Sequence, residues 1–181
     1  QCTLVEAASD DSTHWWTAEH NGYQRLNPPA IHRREVIVHH PHTDLLIVWI
    51  VDNILTSGSH RAEWFWHLSE QQHRWNGREK RVILSLPKGL SGSLVFPEDT
   101  EERLEWIVGQ IRPVPLGWIS KNYGQIISAP AVKLSRTIDA DHTEVTALII
   151  ASFEAVTPVL RCRDTHENFV AELSWANGKA T

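Results

Sequence analysis

The amino-acid sequence predicts an all-β fold, an antiparallel β-sandwich of stacked sheets with little or no helix. Three observations support this prediction. Apolar residues alternate with polar ones in several segments, one segment is apolar throughout, and turn-forming residues recur about every ten positions. Alternation has the period of a β-strand, in which successive side chains point to opposite faces. Repeated short strands separated by turns are typical of sandwiches.

The first clear strand is the uniformly apolar segment at residues 45–51, which includes Ile47 and Trp49. Its β-branched and aromatic residues favour a strand, and the segment is short for a helix. An apolar residue at every position indicates a strand that is covered on both faces. We therefore expect this strand in the middle of a layered structure.

Three further segments alternate and present one apolar row each. The rows are Ala62, Trp64, Trp66 and Leu68; Val145, Ala147, Ile149, Ala151 and Phe153; and Phe169, Ala171, Leu173 and Trp175. We expect these rows, and with them Trp64 and Trp66, to pack into the core.

Residues 99–108 allow two interpretations. Residues 99–102 read DTEE, which is similar to the capping box that begins a helix. Leu104, Trp106 and Val108 alternate, however, and Gly109 follows them. We favour a strand for this segment and keep a helical turn as the alternative.

Length and composition exclude several classes of protein. The chain has 181 residues, and we expect a single domain over residues 1–181. It contains no apolar run of about 18 residues, so no membrane-spanning helix is predicted. Its net charge of −5 argues against a nucleic-acid binder, which usually needs a basic face. The sequence contains no Met, even at its start, so we expect a piece of a longer protein.

Histidine is abundant, but the spacing of the histidines does not favour a metal site. His39, His40 and His42 cluster beside a proline, and adjacent strand residues diverge, so we interpret them as a solvated polar turn. His60 and His67 would lie on opposite faces of a regular strand. We interpret each as a partly buried histidine that is hydrogen-bonded to the backbone.

Asp52 directly follows the apolar segment, where a carboxylate can be catalytic. The commoner role of such a residue is to accept backbone hydrogen bonds and end the strand, and we favour it. No Gly-rich phosphate loop, nucleophile elbow or paired-carboxylate motif is found. The residues alone therefore do not identify a function.

Trp15, Trp16 and Trp118 stand among polar residues and are candidates for exposure, where an indole ring can stack on a sugar. Cys2 and Cys162 can form a disulfide only if the first strand and a late strand are neighbours. The sequence leaves that question open.

A longer pattern resembles a known family, the heparinase II/III-like polysaccharide lyases. Residues 22–36 read GYQRLNPPAIHRREV and are similar to the family segment GY.RL..PV.H.R.V. An apolar strand that ends in Asp, a Gly-x-His turn and a strand that ends in HL follow in the family, and residues 46–52, 58–60 and 66–68 resemble them. Residues 117–124, GWISKNYG, are similar to G-W-x-S-x-x-Y-G, and residues 129–131 and 146–149 follow in the expected order.

The resemblance implies the β-sandwich at the C-terminus of a two-part enzyme, which begins with a helical toroid and cleaves uronic-acid-containing polysaccharides by β-elimination. In the family, a His-rich stretch and an HNT element carry catalytic residues and, in some members, metal-binding histidines. Neither element is found here, so the resemblance implies no catalytic residue, no metal site and no cofactor in this chain. His32, Asp52, His60 and His67 match family positions, and we interpret those positions as sandwich architecture.

The leading hypothesis is therefore the C-terminal β-sandwich domain of a bacterial heparinase II/III-like lyase, inactive alone, which supports the substrate cleft of the parent. Its partners would be the N-terminal helical toroid and an acidic polysaccharide such as a glycosaminoglycan, with no nucleic acid and no membrane. We expect Trp118, Lys121 and Tyr123 to contact substrate. The resemblance also implies a periplasmic or secreted location.

Two alternatives stay open. A stand-alone carbohydrate-binding module could use Trp15, Trp16, Trp118 and Tyr123 as a stacking platform. Its net charge opposes an acidic glycan, although a basic patch of Arg33, Arg34 and Arg61 could offset that. A scaffold domain that pairs through its sheet edges is the third reading. If the chain instead docks onto another domain, we expect an exposed apolar patch larger than that of a typical monomer.

Overall fold

The computed structural model describes residues 1–70, 73–98, 103–151, 157–164, 169–175 and 178–180. In these residues strands dominate, and the helical elements are two 3₁₀ turns, Gly22–Arg25 and Pro87–Gly89, neither of them long or apolar enough to cross a membrane. The strands are β1 (Cys2–Ser9), β2 (Thr13–His20), β3 (Ala30–His42), β4 (Leu45–Thr56), β5 (His60–His67), β6 (Arg74–Asn76), β7 (Arg81–Ser85), β8 (Ser91–Val95), β9 (Arg103–Val108), β10 (Trp118–Asn122), β11 (Gln125–Ser128), β12 (Pro130–Ile138), β13 (His142–Ala151), β14 (Val159–Asp164), β15 (Phe169–Trp175) and β16 (Gly178–Ala180). Their pairing is antiparallel, and the predicted all-β fold is confirmed.

The largest sheet has eight strands in the order β1-β2-β3-β4-β13-β8-β7-β6. Strand β4, which contains the uniformly apolar segment, lies between β3 and β13. Leu45, Ile47 and Trp49 are buried on one face, and Val48 and Ile50 are half-buried on the other. The expected central location of this segment is confirmed, because a strand in the interior of a sheet with packed faces meets apolar neighbours on both sides.

The sheet β14-β15-β16 packs on one face of the eight-stranded sheet. The buried residues of this contact are Leu45, Ile47, Trp49, Val95, Val145, Ala147, Ile149, Ala151, Leu160 and Leu173. Each fully buried aliphatic side chain stabilises the fold by about 1.5–3 kcal/mol. This contact is therefore a principal source of stability.

The sheet β5-β12-β9 packs on the opposite face of the eight-stranded sheet. Phe96, Val82 and Val132 are buried there, and the ring of Phe96 meets Trp66 at a centroid distance of 4.9 Å in an edge-to-face arrangement. Trp64 of β5 is also buried. The predicted core location of Trp64 and Trp66 is confirmed.

The other alternating segments also form strands as predicted. The contact between the eight-stranded sheet and the β14-β15-β16 sheet contains Leu173 of β15 and four residues of β13, Val145, Ala147, Ile149 and Ala151. Phe153 lies outside the described residues, and so do residues 99–102, for which a helical turn was the alternative. The segment that follows residues 99–102 is strand β9, and its Leu104 and Trp106 pack against the buried cluster around Phe96.

Two strands continue where the sequence analysis ends them. Strand β4 runs past Asp52 to Thr56, so the prediction that Asp52 ends its strand is wrong. Asp52 can stay inside the sheet because His32 and the positively charged Arg34 donate hydrogen bonds to it. Strand β3 runs through Pro41 to His42, and a bulge between His39 and His42 accommodates the proline, which has no N–H to donate.

Candidate functional site

A cavity of about 420 Å³ opens between the eight-stranded sheet and the free edge of the β5-β12-β9 sheet. The first 3₁₀ turn, the start of β3, the end of β4 and strand β5 line it. Its basic and imidazole side chains are His32, Arg34, His60, Arg61 and His67, and its aromatic side chains are Tyr23, Trp64 and Phe65. A concave site with this lining is the strongest candidate for ligand binding among the described residues.

The pairing of β3 with β4 assembles the inner wall of the cavity. His32 and Arg34 are two residues apart on β3 and point to the same face, and Arg34 lies directly opposite Asp52 of β4. Nε2 of His32 donates to Oδ1 of Asp52 at 2.6 Å. Nε and Nη2 of Arg34 donate to Oδ1 and Oδ2 of Asp52 at 2.7 and 2.9 Å. Asp52 therefore accepts three hydrogen bonds from two side chains.

These contacts keep Asp52 ionised although its side chain is only 2% exposed. Burial alone would raise the pKa of Asp52, but the hydrogen bonds from His32 and Arg34, with their charges, more than offset burial and hold that pKa below its usual value. The hydrogen bond to Asp52 likewise raises the pKa of Arg34. The ionised carboxylate therefore holds the side chains of His32 and Arg34 at the inner wall of the cavity.

A second buried carboxylate lies beside the first. Glu144 of β13 is directly opposite Asp52 in the sheet and is equally buried. Nη2 of Arg136, from β12, lies 3.3 Å from Oε2 of Glu144, and Nη1 of Arg136 donates to Nε2 of His142 at 2.8 Å. The ring of His142 meets the ring of Trp64 edge-on. This network connects the eight-stranded sheet to the β5-β12 wall of the cavity.

The outer rim of the cavity combines exposed aromatic and basic side chains. Phe65 and Tyr23 are exposed, and Phe65 stacks on His67 at a centroid distance of 6.5 Å. Arg61 is largely exposed, and its Nη2 lies 3.1 Å from Oε1 of Glu63. Exposed aromatic rings suit the apolar faces of a sugar, and guanidinium groups suit carboxylate or sulfate.

Each of the two guanidinium groups of the cavity is paired with a carboxylate. The positive charges of Arg34 and Arg61 are balanced by Asp52 and Glu63, with which they pair. Both guanidinium groups keep their charge and can bind an anionic group beside the carboxylate that holds each of them in place.

The histidines that the sequence analysis separated reach the same cavity. His60 and His67 point to opposite faces of β5. Because β5 is an edge strand, side chains on both of its faces can reach the space beside it. Nε2 of His60 lies 3.1 Å from Oγ1 of Thr56, and His67 is exposed. The expected backbone hydrogen bonds are thus replaced by a hydroxyl contact for His60 and a ring contact for His67.

Trp118, Lys121 and Tyr123, the predicted substrate contacts, lie on the β10-β11 hairpin and not in the cavity. Trp118 is half-buried, and its Nε1 donates to the carbonyl oxygen of Gln110 at 2.7 Å. Lys121 pairs with Glu70, and Tyr123 is fully exposed at the turn. A contact of these residues with substrate stays a prediction.

The remaining candidates are dispersed. Trp16 of β2 is exposed, whereas Trp15 is half-buried. Arg33 points away from Arg34 and pairs with Glu19 at 2.9 Å. Nδ1 of His39 lies 3.0 Å from Oγ1 of Thr13. Cys2 is exposed on β1 and Cys162 is half-buried on β14, and no disulfide joins these two residues.

The donor set of the cavity does not fit a metal ion. In the described ranges, no three side chains of His, Cys, Asp or Glu converge as a metal site would require. Both oxygens of Asp52 already accept hydrogen bonds from Arg34, whose positive charge opposes a cation. We therefore assign no metal ion to this cavity.

Tyr23, Phe65 and Glu63 are cavity residues that the sequence analysis did not single out as functional. The sequence did contain a local signal for the inner wall of the cavity, because His32 and Arg34 are two residues apart and therefore lie on the same face of a strand. The contribution of Tyr23 had no such signal, because it depends on how the 3₁₀ turn folds back over the sheet.

The chain matches one family model and several solved structures. Residues 2–175 match the model described as heparinase II/III-like, C-terminal. No curated protein matches the chain. Heparan sulfate lyase HepC from Pedobacter heparinus is similar in structure, with a TM-score of 0.72 at 13% sequence identity.

Two further solved structures are similar to the chain. The heparinase III BT4657 gene product has a TM-score of 0.70 at 16% identity, and another heparinase III has a TM-score of 0.72 at 14% identity. Each of the three matches covers 99% of this chain but only 26–27% of the solved chain. At these identities the likeness shows the fold.

Proposed function

We propose a function from one premise: this chain belongs to the heparinase II/III-like C-terminal family, whose model matches residues 2–175. The chain is the β-sandwich domain of a polysaccharide lyase that cleaves uronic-acid-containing glycans, glycosaminoglycans among them, by β-elimination. It supplies one wall of the substrate cleft and is inactive alone. The partner is the N-terminal helical toroid of the parent enzyme, and the location is the periplasm or the cell exterior.

The cavity beside β5 is the observation that carries this proposal. β-Elimination removes the proton on C5 of a uronic acid, and that proton becomes acidic only when the neighbouring carboxylate is neutralised. Arg34 and Arg61 place two guanidinium groups at one concave site, where they can bind that carboxylate. The name of the similar protein from Pedobacter heparinus, a heparan sulfate lyase, supports an acidic glycan as the ligand.

Asp52 acts in this proposal as a positioning residue. It is buried behind the cavity and holds His32 and Arg34 by three hydrogen bonds of 2.6–2.9 Å. Side chains held in this way need little reordering when an anion binds, so less binding free energy is lost to ordering. Phe65 and Tyr23 contribute exposed ring faces against which a sugar can pack.

Elimination activity is the first test. The 181-residue chain and the longer parent protein are each incubated with heparin, heparan sulfate and alginate, and the ultraviolet absorbance of the unsaturated product is followed. We expect a rise with the parent and none with the chain alone. Robust elimination by the isolated chain, or none by the parent on any uronic-acid glycan, would contradict the proposal.

Glycan binding to the 181-residue chain is the second test. Heparin oligosaccharide is titrated calorimetrically into the chain and into Arg61→Gln. Loss of one exposed charge contributes about 0.2–1 kcal/mol, so we expect the Kd to rise by up to about fivefold. Arg161→Gln is the matched control, because Arg161 is also an exposed arginine paired with a glutamate, Glu98 at 3.0 Å, and does not line the cavity. Equal effects of the two substitutions would argue against the cavity as the binding site.

A stand-alone carbohydrate-binding module remains the second candidate, because Trp16 and Tyr123 are exposed. Against it, Trp118 uses its indole N–H inside the fold, and Trp15 is half-buried. Tight binding of a glycan by the isolated chain that Trp118→Ala abolishes and Arg61→Gln does not would favour the module.

A further inference from the structure

Several exposed large hydrophobic side chains lie close together in the sequence, in the loop and the hairpin that follow β9. Ile111 and Ile126 are each 69% exposed, Val114 is similar, and Tyr123 is fully exposed. They lie on the loop 109–117 and on the β10-β11 hairpin, which together we call the apolar projection. Every residue of β11 is exposed, so the hairpin extends away from the sheet with both faces open. Monomeric proteins rarely expose such a concentration without a partner.

The apolar projection is held in a defined shape. The backbone N–H of Gly109 donates to the carbonyl oxygen of Gly117, and Gln110 and Leu116 exchange two backbone hydrogen bonds. The indole of Trp118 donates to Gln110 and closes the loop from its side. Gly117 has a φ of +79°, and a Cβ there would lie 2.8 Å from the backbone nitrogen of Gly109. A loop tied in this way presents Ile111 and Val114 in fixed positions, which lowers the entropy lost on docking.

The projection also adjoins the candidate site. Lys121 of the hairpin pairs with Glu70, which lies three residues beyond His67 at the end of β5. Whatever covers the projection therefore lies close to the end of the strand that forms the outer wall of the cavity. A docked domain at this position could close the open side of the cavity and complete a cleft.

We propose that the apolar projection docks against the remainder of the parent lyase, and this inference rests on the proposed function. The occupant follows from the size of the similar solved chains, of which this fold accounts for only 26–27%. A large second part is therefore available in such proteins to cover one end of the sandwich. A projecting ribbon with apolar side chains on both faces fits a groove in that part, as the core of a domain interface requires.

Hydroxyl-radical footprinting tests the proposal on the intact parent and on the 181-residue chain. This method reports the solvent access of side chains. We expect oxidation of Tyr123, Ile111 and Ile126 to fall several-fold in the parent relative to the chain. Leu4 on β1 is similarly exposed and serves as the reference side chain. Equal oxidation of Tyr123 in both proteins would overturn the proposal.

A pair of matched variants separates docking from a general loss of stability. Ile111→Ser with Ile126→Ser should increase oxidation of Tyr123 in the parent and lower its affinity for heparin oligosaccharide several-fold. Leu4→Ser with Val5→Ser changes two exposed apolar residues on β1 and should alter neither the oxidation of Tyr123 nor the affinity. All four side chains are exposed, so the unfolding midpoint of the 181-residue chain should change little in either variant.

Other results would identify a different occupant of the projection or separate docking from the proposed function. Concentration-dependent dimers of the 181-residue chain that Ile111→Ser abolishes would identify a second copy as the occupant. Protection of Tyr123 in the isolated chain by heparin oligosaccharide would identify a substrate contact. An exposed projection in a parent with elimination activity would refute docking alone, whereas a protected projection in a parent without such activity would refute the proposed function alone.

Discussion

The substitution Asp52→Asn removes a buried negative charge and keeps the shape of the side chain. Asp52 is 2% exposed and accepts one hydrogen bond from His32 and two from Arg34. An Asn side chain offers one oxygen, but its NH₂ group cannot accept a hydrogen bond. At least one donor of His32 or Arg34 is therefore left facing another donor. We expect a substantial loss of stability with no change in the packed volume.

The structure sets the size of that loss. Removal of one partner from a buried ion pair costs about 3–5 kcal/mol. The side chains of His32 and Arg34 are 23% and 46% exposed, so water can partly replace Asp52 as their partner. We therefore expect the free energy of unfolding to fall by about 2–3 kcal/mol, below the fully buried case. For a chain of this size that loss corresponds to a fall in Tm of about 4–12 °C.

Urea and thermal unfolding, followed by tryptophan fluorescence, measure the effect. Asp11→Asn is the control, since Asp11 is an exposed aspartate on the β1-β2 turn, and its effect should stay within about 0.5 kcal/mol. If Asp52→Asn costs less than about 1 kcal/mol, or no more than the control, the ion pair is not the reason why Asp52 is tolerated inside the sheet.

The other predictions concern stability. The pKa of Asp52 is lowered in the folded state, so ionised Asp52 stabilises the fold fully above the unfolded pKa of about 3.9, and this stabilisation is lost as the pH falls through the folded pKa. Urea titrations at neutral and acidic pH should show this loss of stability, and the loss should be smaller in Asp52→Asn. Gly117→Ala should cost about 1–3 kcal/mol more than Gly124→Ala in thermal unfolding, because both glycines have positive φ but only Gly117 has backbone atoms within 3 Å of the added Cβ; equal costs would contradict this. Phe96→Ala should lower the free energy of unfolding by about 3–5 kcal/mol and Phe65→Ala by less than about 1 kcal/mol, since Phe96 is buried in the core beside the β5-β12-β9 sheet and Phe65 is exposed. Calorimetry that finds similar Tm values for the two variants would refute the assignment of Phe96 to the core.

Strands were predictable wherever the signal is local. The row from Val145 to Ala151 alternates in the sequence, and the same residues form the buried face of β13. The apolar segment around Ile47 and Trp49 likewise predicted an interior strand, because apolar side chains on both faces of a strand are buried only when both faces are covered. In each case neighbouring residues carry the information.

The candidate site was less predictable, because its residues belong together only through the pairing of strands. The sequence around Asp52 predicts a strand end because it does not show that His32 and Arg34 lie beside Asp52 on β3. His60 and His67 looked divergent because parity separates them on a regular strand. They share a cavity because β5 happens to be an edge strand, which depends on the order of the whole sheet.

The sequence by itself determined which segments extend and which face of each strand is apolar. Those properties follow from the period of the backbone and from side chains two positions apart. Only the tertiary structure decided that β13 joins β4, which brings Glu144 beside Asp52, and that β12 lies over β13, which brings Arg136 beside Glu144. Pairing of distant strands depends on the summed burial of both faces and on loop closure. No short stretch of sequence contains either quantity, so the site emerges only when the sheets assemble.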